Sequence, residues 1–211
     1  MGSSRSAGAE KLGPTHRIGT GRAALLVLLA GAAVGCRGVA GSGAAKSEVR
    51  TVAGFARIDV TGALTLQVDI ADGPTEVSVH GDDNLVPNVT TKVEGDTLKV
   101  GTSMEMSPSL PLQVRVKVPG LRALSFSGAG KADVKGVRGE QFRAEVSGAA
   151  AAHLSGRVDR VELNLSGAGG VDLYADRSLD ADISGASSIH YGGHPPTVTK
   201  HISGVGVLRA K

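Results

Sequence analysis

The stretch Ser125-Phe126-Ser127-Gly128-Ala129-Gly130 returns along the chain in altered form. It reappears as Glu145-Val146-Ser147-Gly148, Asn164-Leu165-Ser166-Gly167, Asp182-Ile183-Ser184-Gly185 and His201-Ile202-Ser203-Gly204. The Ser-Gly pairs start at 127, 147, 166, 184 and 203, so the spacings are 20, 19, 18 and 19 residues. Five residues after each Ser stands another small or apolar residue: Ala132, Ala152, Val171, Ile189 and Leu208. A polar one follows each time: Asp133, His153, Asp172, His190 and Arg209. A constant period of this length marks one supersecondary unit stacked on itself. The unit is too short for a helix pair. At ~3.3 Å per strand residue, one period traces roughly 60 Å, enough for one coil of a parallel β-solenoid. Equivalent positions then stack ~4.8 Å apart in ladders, and the Gly of each pair supplies the backbone freedom a bend needs.

Working back towards the N-terminus, the pattern stays extended. Ile58-Asp59-Val60, Leu64 to Ile70, Val77-Ser78-Val79 and Leu112 to Val118 alternate apolar with polar residues, the mark of strands with one buried face. Gly73-Pro74, Gly81-Asp82 and Glu94-Gly95-Asp96 read as turns between them. No helical periodicity appears after residue 36. The expected fold class is therefore all-β, a parallel β-helix or β-solenoid with coils of about 19 residues.

Composition agrees. Gly accounts for 31 of the 211 residues, and only Phe55, Phe126, Phe142, Tyr174 and Tyr191 are aromatic. A thin core of Val, Leu, Ile and Ala ladders leaves little room for rings. So few rings also argue against binding sugars or bases by stacking. The single Cys excludes an intrachain disulfide and a Cys-rich zinc site.

The formal net charge of +3 comes entirely from the leader, where Arg5, Lys11, Arg17 and Arg22 oppose only Glu10. The remainder is neutral, so the basic balance is no nucleic-acid footprint. Ala23 to Val34 is an apolar run too short to span a bilayer, which takes about 20 residues; it has the length of a signal-peptide core. It leads into Ala33-Val34-Gly35-Cys36, which resembles a bacterial lipobox. The resemblance implies a signal peptide over 1–35, cleavage before Cys36, and lipidation of Cys36. The membrane would be a partner through that anchor, with Arg37 favouring the outer membrane of the cell envelope. A plain secretory signal that leaves Cys36 a free thiol is the alternative. Residues 36–49, small and Gly-rich, read as the lipidated Cys and a flexible tether. The folded domain then occupies 50–211.

The recurring Ser-Gly-Ala-Gly (127–130, 166–169), the Ser184-Gly185-Ala186-Ser187 and the closing Ile202-Ser203-Gly204-Val205-Gly206 are similar to the bacterial "putative auto-transporter adhesin, head GIN domain" family. Phe55 to Val60 and Gly81 to Leu85 resemble that family's opening segment. The resemblance spans roughly residues 50–211 and implies a right-handed β-helix-like domain, commonly on exported lipoproteins. It carries over no catalytic or ligand residues.

Chemistry is sparse. Ser166 to Asp172 approaches the calcium-roll nonapeptide, but Asp172 stands one residue too far along, which in a strand turns its side chain to the other face. His190 and His194 have helical zinc spacing in a segment that Gly192-Gly193 and Pro195-Pro196 keep from being a helix; two surface His on a wet loop is the plainer reading. A Ser repeated five times is structural, since a nucleophile needs one site with an oriented base. The expectation is a protein with no catalytic residues, no metal site and no cofactor. What remains is an outward column of Ser125, Glu145, Asn164, Asp182 and His201, a face that suits a protein or polysaccharide partner. Two functions fit: a non-catalytic adhesion or partner-binding lipoprotein, or a structural or envelope-stress accessory without a specific ligand.

Overall fold

The structure is a computed structural model and describes residues 38–211; Cys36 and the leader lie outside the described residues. The described chain is all-β, with one short 3-10 turn at Val86–Asn88. The strands in chain order are β1 (Val39–Ala40), β2 (Ala45–Arg50), β3 (Arg57–Ile70), β4 (Glu76–Asp82), β5 (Val89–Glu94) and β6 (Thr97–Thr102). They continue with β7 (Met106–Ser107), β8 (Gln113–Val118), β9 (Ala123–Tyr174), β10 (Ser178–Gly192), β11 (Thr197–Gly204) and β12 (Val207–Ala210).

The repeats lie side by side in parallel register. β10 pairs with the end of β9 from Ser178↔Arg160 to Gly192↔Tyr174. β11 and β12 add to the other side of β10, with Ile183↔Ile202 and Ile189↔Leu208. β9 remains extended for 52 residues because its bends are made at glycines. The Ser-Gly bends stack directly, Gly148 against the carbonyl of Gly128 and Gly167 against that of Gly148. Alternation then buries two ladders: Phe126, Val146, Leu165 and Ile183 face the core, and so do Ala132, Ala152, Val171 and Ile189. The narrow aliphatic core follows from this spacing.

β3 adds a rung that the Ser-Gly motif does not announce. It pairs in parallel with β9 from Arg57↔Ala123 to Asp69↔Lys135, which puts Thr61-Gly62 beside Ser127-Gly128. Between β3 and β9 the chain builds a cover. β4 runs antiparallel to β8, β5 and β6 form an antiparallel pair, and β6 and β8 each lie parallel to β3. Val77, Val79, Val86, Val89 and Leu98 are buried there, closing that end of the core. The opposite end differs. Every residue of β11 is exposed, and Val198 and Ile202 stand open at ladder positions that are buried one rung earlier.

The tether expected over 36–49 is corrected where the chain is described. β1 pairs with β7, and β2 pairs antiparallel with β4. Side-chain packing does not hold this segment, so apolar periodicity could not reveal it. Its anchor is Asp82, fully buried at the end of a stretch that reads as a turn. The Asp82 carboxylate accepts backbone N–H bonds from Gly43 (2.7 Å), Ser109 (3.0 Å) and Leu110 (3.1 Å). Asn84 assists by accepting the Ser42 N–H at 3.0 Å and donating to the Ala40 carbonyl at 2.8 Å. β2 is an edge strand whose exposed side carries Ala45, Ser47 and Val49, while Lys46, Glu48 and Arg50 form ion pairs on the less exposed side, and inward-turned charges on an edge discourage pairing with another chain.

Candidate functional site: a polar trough along the ladder

The residues that alternate outward beside each Ser-Gly bend share one face. Asp182 is registered with Asn164 on one side and His201 on the other, and Asp59 with Ser125. Glu145 stands on the intervening rung. The predicted column of Ser125, Glu145, Asn164, Asp182 and His201 is thus brought together, and Asp59 extends it. Ser125, Glu145, Asn164, Asp182 and His201 line one depression of about 420 Å³ with the hydroxyls of Ser147, Ser166, Ser184 and Ser203. A second depression of about 560 Å³ shares Ser125 and Glu145 and continues to Asp59, Arg57 and Arg122. A third shares Asp59 and reaches Thr61, Lys92 and Lys99. Shared lining residues make these one trough running across the rungs.

A hydroxyl column flanks it. Thr61, Ser127, Ser166, Ser184 and Ser203 occupy matched positions, and Ser147 Oγ donates to Ser127 Oγ at 3.1 Å. Among the described residues no basic side chain is hydrogen-bonded to any of these hydroxyls. Charges in the trough are ordered. Arg143 bonds Glu145 Oε1 at 2.8 Å and Glu162 Oε1 at 3.0 Å; both carboxylates raise the guanidinium's pKa. Arg57 and Arg122 share one carboxylate, Asp96, at 3.4 Å each. Asp180 and Asp182 have no ion pair among the described residues. The N-terminal part of the trough is therefore richer in cations and the C-terminal part richer in free carboxylates.

Asp59, Arg57, Arg122 and Arg143 escaped the sequence reading. Asp59 sits two before Thr61-Gly62, as Ser125 does before Ser127-Gly128, and a repeat search that allowed Thr for Ser would have found it.

The polar residues that follow the second apolar position of each repeat, Asp133, His153, Asp172, His190 and Arg209, form a further column, with His190 registered between Asp172 and Arg209. His153 Nδ1 and His190 Nδ1 each lie 3.9 Å from an Asp172 oxygen, and Lys211 Nζ reaches Asp172 Oδ1 at 2.6 Å. The hydrogen bond from Lys211 holds the Asp172 pKa below the ordinary carboxylate value against the opposing effect of burial. His190 is corrected from a wet loop to a half-buried position within β10; His194 lies in the loop beyond. Among the described residues no three His, Cys, Asp or Glu side chains converge as metal ligands. No helix among them is long and apolar enough to cross a membrane.

The profile of the family "Putative auto-transporter adhesin, head GIN domain" matches residues 54–169 and 156–195. The chain belongs to this family. The head GIN match covers β3 through β10 and so contains most of the trough. Among solved structures, the chain is similar to a protein of Bacteroides fragilis described as a "putative adhesin", at 20% identity and a TM-score of 0.58, over 82% of this chain and 100% of that one. At that identity the likeness speaks for the fold. A Parabacteroides distasonis protein described as a "putative lipid binding protein" is similar at 18% identity and a TM-score of 0.49, over 83% of this chain and 100% of that one. Curated proteins yield no match.

Proposed function

We propose that the chain is a non-catalytic module of the cell envelope, exported and lipid-anchored through Cys36 in the outer membrane, which attaches to a macromolecular partner along the polar trough. Its described domain is a right-handed parallel β-solenoid of about 19-residue coils. The observation that carries the reading is the continuity of the trough: three depressions linked through Asp59, Ser125 and Glu145 make one extended polar surface crossing every rung. An enzyme concentrates its chemistry at one place, whereas this face carries a hydroxyl and a neighbouring polar side chain on rung after rung. Repetition favours many weak contacts with an extended partner. The adhesin descriptions of the family and of the Bacteroides fragilis protein support the same reading.

The test is a triple variant, Glu145→Ala, Asn164→Ala and Asp182→Ser, expressed on cells. Attachment to neighbouring cells or matrix should fall while the melting temperature stays put, since exposed polar side chains contribute little to stability. Unchanged attachment with an intact fold would remove the trough from the function.

A further inference from the structure

We infer that the partner of the trough is a second copy of this chain, docked face to face about a two-fold axis with the two ladders running in opposite directions. The inference rests on the trough being the binding face. It comes from the order of charges along the rungs. A two-fold axis that lies in the interface parallel to the strands reverses the rung order and keeps each residue's place along its strand. Placed between the rung of Glu145 and the rung of Asn164, it sets Arg143 of one copy against Glu162 of the other. Arg122, the residue just before Ala123, then lies diagonally against Asp180.

The neighbouring column obeys the same operation. Glu145 meets Asn164, Ser125 meets Asp182, and Asp59 meets His201. Thr61, Ser127 and Ser147 meet Ser203, Ser184 and Ser166. Asp59, Glu145, Asp182 and Glu162 thus each oppose a hydrogen-bond donor, Asp180 opposes Ala123 with Arg122 diagonally beside it, and no two carboxylates of these columns oppose each other. Moving the axis onto the rung of Glu145 destroys this: Glu145 meets itself and Asp59 meets Asp182. Moving it half a rung further towards the N-terminus sets Arg143 against Ala123 and diagonally against the like-charged Arg122. Self-complementarity of one patch is what an isologous dimer requires, and opposed like charges would reject other registers. Because the ladders run antiparallel, the covered ends carrying β5 lie at opposite ends of the pair, an arrangement that suits molecules anchored on two facing surfaces.

Charge reversal tests this on the purified full chain by sedimentation velocity. The wild type should form a dimer at low salt that dissociates at high salt, because exposed charges are screened. Arg122→Glu and Asp180→Lys should each weaken self-association roughly tenfold or more by opposing like charges. An equimolar mixture of the two variants should regain the dimer, and so should the double variant. Regained pairing also shows that both variants fold. A wild type that stays monomeric, a single variant that dimerises normally, or a mixture that does not recover would each overturn the inference. Recovery by Lys99→Glu with Asp182→Lys instead would overturn this register. If cells still attach, through the trough, to surfaces that carry no copy of the chain while no dimer forms, the second copy is rejected and the binding face stands.

Discussion

Gly167 rests against Gly148 so closely that a β-carbon on Gly167 would meet the Gly148 carbonyl oxygen directly and its amide nitrogen at 2.9 Å. Its φ of +116° is also one that L side chains rarely adopt. Both restrictions act at a bend repeated through the stack. Gly167→Val is expected to lose about 1–3 kcal/mol from backbone conformation, with the clash adding to it. Lys131→Ala, at an exposed position, should stay within about 0.5 kcal/mol. Urea denaturation of the two variants checks this, and equal midpoints would contradict the bend assignment.

Asp82 ties stability to pH. Burial raises its pKa, but the backbone N–H bonds of Leu110, Gly43 and Ser109 and its own amide outweigh that and lower it. A carboxyl whose folded pKa lies below its unfolded value of about 3.9 stabilises the fold above that value. The contribution disappears as pH falls through the folded pKa. Asp82→Asn should lower the melting temperature near neutral pH and reduce the loss of stability on acidification, since an amide turns an N–H group towards backbone donors. A melting curve series from neutral to acid pH reads both effects; a variant with the wild-type slope would show that Asp82 is not the coupled group.

Lys200 sits at an inward ladder position, registered with the buried Ala181 and flanked by Val198 and Ile202. A charge at such a place on an exposed edge strand opposes pairing with other chains. Lys200→Val should therefore raise the rate of aggregation without unfolding the protein, measured by light scattering. Aggregation no faster than wild type would remove this role.

Cys36→Ser should move the protein from the membrane fraction to the soluble fraction, because acyl chains hold a protein at a bilayer. Mass spectrometry of the wild type should show a modified Cys36. An unmodified thiol would refute lipid anchoring.

Much of this architecture was readable because the bends are punctuated. Ser-Gly at a near-constant interval predicted which residues share a column, and the register of Asn164, Asp182 and His201 follows it. β3 was legible as a strand, yet its place as a rung was hidden, since Thr61 replaces Ser and the whole cover intervenes before Ser127. The segment around β1 was illegible for another reason. It is fixed by main-chain bonds to Asp82 and Asn84, and main-chain bonds leave no apolar signature. The arginines of the trough precede the repeated motif, and only distance to Asp96, Glu145 and Glu162 gives them a place.

The unequal ends give the domain a direction of failure. In a stack where each rung touches only its neighbours, stability is a sum of local interfaces, and the rung with one neighbour opens first. Here that rung is β11 and β12, while β5, β6 and the buried valines protect the other end. Amide hydrogens should exchange fastest from Thr197 onward and progressively more slowly towards β3. Thermal opening would travel through the trough from the His201 side, so the acidic half would come apart before the half that holds Arg57 and Arg122.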